Sequence, residues 1–388
     1  MKRNRLIWFL LWILALVGIS HFGGTVSYGF FFALTLLPLI SLIYLLFVYF
    51  NFRIYQETQS RNMVCGQSLP YQFVLRNESF LGFASIKVRM FSDFSYIESV
   101  AEDTEYELLP GDEFRYETKI TCKYRGEYEI GVKEILLTDF FRIFQFRYRV
   151  PETINAIVHP RLVELNDVNG LSEITSSLQQ NTSLEKKEPD VIVRNYMEGD
   201  SLKKIYWKAS ARTRELKVRP DVDEGKQNIT LFFDTKRYSK RMEEYLPLES
   251  KILETLLALS LYFVKKNVQV TAYYGTTSIQ QSILSGIRSF EEFYVRMSGT
   301  YFNPEVNPTH LLQECKNKGL LLSTKVFIGI FHRIDDNLLQ LAEEISSQGT
   351  YVLLYIITDE NIDNYLRENT SRKKVIAIPT EAELEVFL

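Results

Sequence analysis

From Phe30 to Phe50 the chain carries no charged residue. That run is about the length needed to cross the roughly 30 Å hydrocarbon layer of a bilayer. In such a medium the backbone must satisfy its own hydrogen bonds, so the segment can only be a helix. A shorter apolar run, Leu6 to Ile19, precedes it behind Lys2, Arg3 and Arg5, and an uncharged link, His21 to Gly29, joins the two. Arg53 and Arg61 follow the second run. Basic residues on both outer flanks and none in the link predict a transmembrane hairpin over 1–55, its link outside and both ends in the cytoplasm. Pro38 is tolerable in a membrane helix. A cleaved signal peptide is the competing reading, but no small-x-small cleavage site follows the first run.

The next stretch, 56–165, changes to period two. Phe114, Tyr116, Thr118, Ile120 and Cys122 alternate with Glu113, Arg115, Glu117, Lys119 and Thr121; Tyr71-Phe73-Leu75, Ile86-Val88-Met90 and Phe144 to Val150 behave alike. Turn residues at Leu109-Pro-Gly-Asp112 and Arg125-Gly-Glu127 separate the runs. This pattern predicts half-buried antiparallel strands in an immunoglobulin-like β-sandwich. Residues 166–189 are polar, rich in Ser, Gln, Asn and Lys, and read as a linker.

In 190–388 strands and helices alternate. Strands are predicted at Ile229–Phe233, Val268–Tyr274, Lys325–Phe331, Tyr351–Ile357 and Lys374–Ile378. Helices are predicted at Pro247–Lys266, Phe290–Ser298, Thr309–Lys318, Asn337–Gln348 and Ile362–Asn369. Ser289 with Glu292 reads as a capping box, and Gly349 as a helix stop. The alternation predicts an α/β domain with a parallel sheet covered on both faces.

The segment Arg194 to Arg219 packs eight Lys/Arg and three acids around a Gly199-Asp200 turn. Asp200 or Ser201 can cap a helix in which Leu202, Ile205, Tyr206 and Ala209 share one face. Lys203, Lys204 and Lys208 line much of the rest. Leu216-Lys-Val-Arg219 then alternates as a strand does. Two readings stay open. Trp207 can anchor a core beneath a solvated basic rim. Alternatively Arg194, Arg212 and Arg219 can form a recognition surface for an acidic partner, phosphate or anionic lipid, since guanidinium forks bind carboxylates and phosphates two-handed.

Common chemistries lack their motifs. No phosphate loop, dinucleotide fingerprint, nucleophile elbow or His-Glu-x-x-His occurs, so no catalytic residue or cofactor is assigned and the chain is read as a non-enzyme. Cys65, Cys122 and Cys315 show no Cys-x-x-Cys spacing, and the four histidines are scattered, so neither disulfides nor zinc are expected. A net charge of −3 gives no drive toward nucleic acid.

The segment resembles the signature of the bacterial "domain of unknown function 58" family. The matching residues are Arg194-x-Tyr196-x-x-Gly199-Asp200, then Ile205-x-Trp207-Lys208-Ala-Ser210-Ala-Arg212, then Leu216-x-Val218-Arg219. A softer match is Tyr124-Arg-Gly126-x-Tyr128 with Thr138-Asp139-Phe-Phe-Arg-Ile-Phe144. Where the family commonly shows two arginines and Ile-Asp-Trp, this chain has Lys203, Lys204 and Ile205-Tyr206-Trp207. The resemblance implies a von Willebrand factor A-like C-terminal domain. Metal-binding members of that fold show Asp-x-Ser-x-Ser after the first strand; here Asp234-Thr-Lys-Arg-Tyr238 puts Lys236 and Tyr238 at the Ser positions. Magnesium wants near-octahedral oxygen ligands, so no such metal site is expected, and Asp359 is read as an exposed loop acid. Family members are often encoded beside MoxR-type AAA+ ATPases and membrane transglutaminase-like proteins. The resemblance therefore implies a membrane-held adaptor that works with such partners on envelope complexes. An anion or lipid sensor, and a hydrolase or transferase using the signature's polar groups, are the alternatives.

Overall fold

A computed structural model describes residues 2–99, 104–168, 194–195, 210, 215, 217–218, 228–275, 278–361, 365 and 369–387. The chain divides into two compact units, 1–159 and 160–388.

The first unit opens with helices α1 (Lys2–Phe22) and α2 (Gly24–Asn51). Both are long and apolar enough to cross a membrane. The expected link over His21–Gly29 shrinks to a single residue, Gly23, because the helices use almost all of it. Gly23 (φ 52°) and Gly24 (φ 85°) turn the chain in a region that residues with a Cβ avoid. The Trp12 indole N–H donates to Thr35 Oγ1 at 3.1 Å across the hairpin.

The polypeptide passes from Asn51 directly into strand β1 (Phe52–Thr58), with no intervening linker. It continues through β2 (Asn62–Val64), β3 (Ser68–Asn77), β4 (Phe83–Met90), β5 (Ser95–Ile97), β6 (Glu105–Leu108), β7 (Glu113–Cys122), β8 (Gly126–Ile130), β9 (Val132–Thr138), β10 (Gln145–Arg149) and β11 (Ile154–His159). Two four-stranded antiparallel sheets form, in the orders β1-β3-β7-β5 and β10-β9-β4-β6. A third sheet, β2-β11-β8, is mixed. Alternation places Phe52, Ile54, Phe73 and Leu75 of the first sheet inward, and Phe83, Ile86, Val88, Ile135 and Leu137 of the second; all are buried. Rings meet across the layers: Phe52 lies 6.2 Å from Phe83 and 5.3 Å from Tyr148. Each such buried ring contributes roughly 1.5–3 kcal/mol, which makes this a sandwich held by its aromatics.

In the second unit, β12 (Arg194–Asn195) pairs antiparallel with β13 (Lys217–Val218). The main sheet has six strands: β14 (Asn228–Phe233), β15 (Val270–Tyr274), β16 (Gln280–Leu284), β17 (Thr324–Phe331), β18 (Tyr351–Ile357) and β19 (Lys373–Ile378). Their spatial order is β16-β15-β14-β17-β18-β19. Only the β15–β16 pair is antiparallel. Helices α3 (Met242–Lys265) and α4 (Ile287–Ser298) share a core with Ile229, Leu231 and Phe233, while α5 (Pro308–Asn317) and α6 (Asp336–Ser347) share another with Phe232. Successive β14 residues thus feed opposite faces, as a doubly covered sheet requires. A short helix, α7 (Leu384–Phe387), follows the last strand.

Local differences from the sequence reading have simple causes. Strand β16 is absent from the predicted set because it lies at the edge and opens on polar residues, Gln280-Gln-Ser282. Helix α3 starts at Met242, upstream of Pro247, with Glu243 and Glu244 in its first turn, where acids suit the helix dipole. The capping-box reading of Ser289 with Glu292 is corrected: Gly286 is the N-cap, and Ser289 Oγ instead accepts from the Gly286 N–H at 3.1 Å. Gly349, in the left-handed region at φ 82°, follows α6. The predicted helix Ile362–Asn369 lies mostly outside the described residues.

Gly329 sits in the middle of β17, and a Cβ there would stand 2.5 Å from the Phe331 ring and 2.9 Å from Leu354. Overpacking of this kind costs about 1–3 kcal/mol. Gly329→Ala is expected to lower the unfolding midpoint of the second unit in a denaturant titration; an unchanged midpoint would show that both neighbours can yield.

Candidate functional site

Counted in chain order, the six strands of the main sheet lie 3-2-1-4-5-6, so the winding direction reverses between β14 and β17. Ligands of open α/β sheets bind outside the carboxyl ends of the strands at such a switch point. Asp234 follows β14 there, and His332 follows β17.

Asp234 is fully buried. Its N–H donates to Ile330 O at 2.8 Å, tying the two strand ends together. Its carboxylate accepts from the Lys236 N–H at 2.7 Å on one oxygen and from the Tyr238 hydroxyl at 2.6 Å on the other. Burial pushes the Asp234 pKa up to about 6, against the pull of these donors and of the Lys236 ammonium. Burial, with Asp234 beside it, also raises the Tyr238 hydroxyl, which therefore stays protonated and donating.

The backbone of this loop is held on two sides. Thr235 Oγ1 donates to Gly275 O at 2.6 Å, at the end of β15. Arg237 N donates to Asn303 O at 3.2 Å and Asn303 N to Thr235 O at 3.0 Å. Arg237 turns away into a two-handed pair with Glu249 of α3, at 2.7 and 3.1 Å, and stacks on Tyr245. It is thus committed to structure.

The Tyr238 ring is the centre of the exposed part. The His332 ring meets it edge-on at 4.7 Å, the Lys236 ammonium lies 5.4 Å from its centroid and the Arg333 guanidinium 5.1 Å. Both cations are within range of the ring quadrupole; the Asp335 carboxylate acts on the same ring, and those of Asp359 and Glu360 act on His332. His332 Nδ1 is 2.8 Å from Ile357 O, so it carries the proton and leaves Nε2 with the lone pair. Burial lowers the His332 pKa, and Arg333 adds to that, so the ring is neutral at pH 7.

Such an arrangement can hold an anionic group. Two cations and a neutral imidazole converge on one ring, while the acid beneath them is already engaged by the Lys236 N–H, the Tyr238 hydroxyl and the His332 backbone. Among the described residues no hydroxyl or thiol is hydrogen-bonded to His332, the pairing that activated nucleophiles need. A divalent ion at Asp234 would have to displace the Tyr238 hydroxyl, and among the described residues no three acids, histidines or cysteines are grouped to hold a metal. Asp359, which follows β18, is exposed and takes both the Thr380 N–H, at 2.9 Å, and its hydroxyl, at 2.6 Å.

Of the signature residues, Arg194 lies in β12 opposite Val218, and Ser210 is buried in a helical residue position. Tyr196, Gly199, Asp200, Lys203, Lys204, Trp207, Lys208, Arg212 and Arg219 lie outside the described residues. His332 and Arg333 were not singled out by sequence reasoning as site residues. Their only signal is their place after the strand Lys325–Phe331, which acquires meaning once that strand is known to lie beside Asn228–Phe233.

The class defined by this fold and site is an α/β module with Lys236, Arg333 and His332 gathered on Tyr238 at the switch point, preceded in the chain by a β-sandwich and two apolar helices. The family model described as "Protein of unknown function DUF58" matches residues 192–283, which run from β12 through the first loop of the site to β16. No curated protein matches the chain. Among solved structures, a CARDB domain from Pyrococcus furiosus in complex with di-metal ions is 16% identical, with 28% of this chain and 86% of that chain covered and a TM-score of 0.19. The cupredoxin domain of amoB from Nitrosocaldus yellowstonii is 9% identical, with 30% and 96% covered and a TM-score of 0.21. Native alpha-2-macroglobulin of Escherichia coli is 13% identical, with 31% and 8% covered and a TM-score of 0.21. Likeness at this level carries no argument about this chain.

Proposed function

We propose that the chain is a membrane-anchored interaction protein whose switch-point site receives an acidic group of a protein partner. The observation that carries this reading is the pair of cations, Lys236 and Arg333, held against the ring of Tyr238 above a buried acid whose oxygens are already engaged. In this reading Lys236 does electrostatically what a bound cation does in metal-dependent binding sites of this shape. The strand order with an antiparallel third strand is compatible with a von Willebrand factor A-like domain. The sandwich is taken as immunoglobulin-like.

Both helices cross the membrane in this proposal. The basic residues at 2, 3, 5, 53 and 61 put the two soluble modules in the cytoplasm of a bacterial cell. The resemblance supplies the partner: a MoxR-type AAA+ ATPase, with a transglutaminase-like membrane protein alongside, acting on envelope complexes. No cofactor and no nucleic acid enter.

The test is crosslinking in native membranes followed by pull-down, with and without ATP. Wild type is compared with Lys236→Glu/Arg333→Glu and with Lys203→Glu/Lys204→Glu/Arg212→Glu. Reversing two cations in a half-buried site is expected to lower recovery of the ATPase by about tenfold or more. If only the triple variant loses the partner, docking belongs to the signature segment. Equal recovery with all three proteins removes both surfaces from the reading, and retention of an inorganic anion alone would favour a sensor.

A further inference from the structure

At the end of the β-sandwich from which the helices leave, three aromatic side chains are exposed in turns: Phe80 (76%), Phe140 (62%) and Phe141 (41%). Each has a helix residue beside it. Phe47 of α2 lies 5.2 Å from Phe80, Tyr44 of α2 lies 4.5 Å from Phe140, and Trp8 of α1 lies 5.8 Å from Phe141.

The helices end at different heights. Arg5 Nε donates to Ile143 O at 2.7 Å and Asn4 Nδ2 to Phe141 O at 3.0 Å, so α1 begins against this turn. Given the hairpin pairing through Trp12 and Thr35, Arg5 stands level with about Leu42 of α2. On the same count Arg3 and Lys2, the first residues of α1, accompany α2 to about Leu45; past that level α2 runs on alone to Phe50, about 8 Å at 1.5 Å per residue, with Leu46 and Phe50 exposed. The apolar outer surface of α2 is therefore continuous with the three aromatics of the sandwich. Contiguous exposed apolar surface of this extent marks an interaction site. Lys2 and Arg3, both exposed, lie at its border.

We propose that this end of the sandwich is a lipid-contacting face. Phe80, Phe140, Phe141 and the outer side of α2 past Leu45 are seated at the headgroup boundary of the bilayer, and Lys2 and Arg3 lie against lipid phosphates. Aromatic rings and basic residues are the groups that occupy such a boundary. The inference rests on the membrane-crossing reading given above and adds that the sandwich is embedded, not hung on a free tether. The direct passage from Asn51 to Phe52 and the Ser41–Asp139 hydrogen bond fix its orientation on α2.

The native cysteines are all buried, so a single exposed cysteine can carry an environment-sensitive fluorophore. The full chain would be labelled in turn at Phe140→Cys, Phe80→Cys, Leu36→Cys and Tyr96→Cys. It would then be reconstituted in vesicles of phosphatidylcholine with phosphatidylglycerol bearing an acyl-chain nitroxide. Leu36 is an exposed position within α2, and Tyr96 an exposed one beside Thr121, at the opposite end of the strands. Lipid quenching is expected at 140 and 80 as at 36, several-fold above that at 96. Quenching at 36 with 80 and 140 no different from 96 overturns the lipid-facing sandwich and leaves the crossing helices intact. No quenching at 36 overturns the membrane reading and this inference with it.

Discussion

Asp139→Ala is expected to destabilise the first unit by about 3–5 kcal/mol, the largest effect of any single substitution considered for it. Asp139 is 1% exposed. One carboxylate oxygen accepts from Phe144 N at 2.6 Å; the other accepts from Phe141 N at 3.2 Å and from the Ser41 hydroxyl of α2 at 2.5 Å. Alanine would strand two backbone N–H groups and a helix hydroxyl, each hydrogen-bonded to a charged group worth about 1.5–3 kcal/mol before non-additivity. Arg142, at φ 54°, adds strain that only the closed turn offsets. Ser41→Ala removes one of the three bonds and leaves the turn closed, so about 1 kcal/mol is expected. Denaturant unfolding in nanodiscs measures both. A loss for Asp139→Ala no larger than that for Ser41→Ala would show that aromatic packing alone holds the turn on the helix.

The opposite sign is expected at the switch point. Asp234 has its pKa raised to about 6 from an ordinary 3.8. The folded state therefore binds a proton that the unfolded chain has released between those values. Stability from this group is complete below about pH 3.8 and is lost as pH rises through about 6. At about 1.4 kcal/mol per pKa unit, the charged form costs at most about 3 kcal/mol at pH 8. Asp234→Asn keeps an oxygen for the Lys236 N–H and offers an N–H to the Tyr238 hydroxyl. It is expected to be more stable than wild type at about pH 8 by up to that amount and to match it near pH 4. Denaturant midpoints across that range decide the matter; a variant less stable at every pH would mean that Lys236 and Arg333 depend on the charge. A stabilised variant with diminished partner recovery would mark Asp234 as kept for function at a cost in stability.

Much of the architecture was legible because it rests on local period. The alternation of Phe114, Tyr116, Thr118 and Ile120 is that of β7, and Tyr351–Ile357 is a strand to the residue. The chargeless run after Phe30 lies within one long helix. Of the site, Asp234, Lys236 and Tyr238 were legible only as a place where no metal is expected, and the candidate interaction residues were put in the segment Arg194 to Arg219. His332 and Arg333 were not legible, because proximity between positions far apart in the chain is a property of strand order, and period carries no order.

What the sequence determined by itself was therefore the set of elements and the faces they bury: two apolar helices, a sandwich of alternating strands, and strands alternating with helices. Side-chain period follows from backbone geometry, and apolar burial then selects the face. Only the tertiary structure decided that β17 lies next to β14, which sets His332 against Tyr238 and gathers scattered residues into one cluster. It alone decided that the Asp139 turn closes on Ser41, so that helix and sandwich meet without a linker. Both outcomes depend on hydrogen bonds and ring contacts between distant segments, whose strength comes from desolvation in the assembled core.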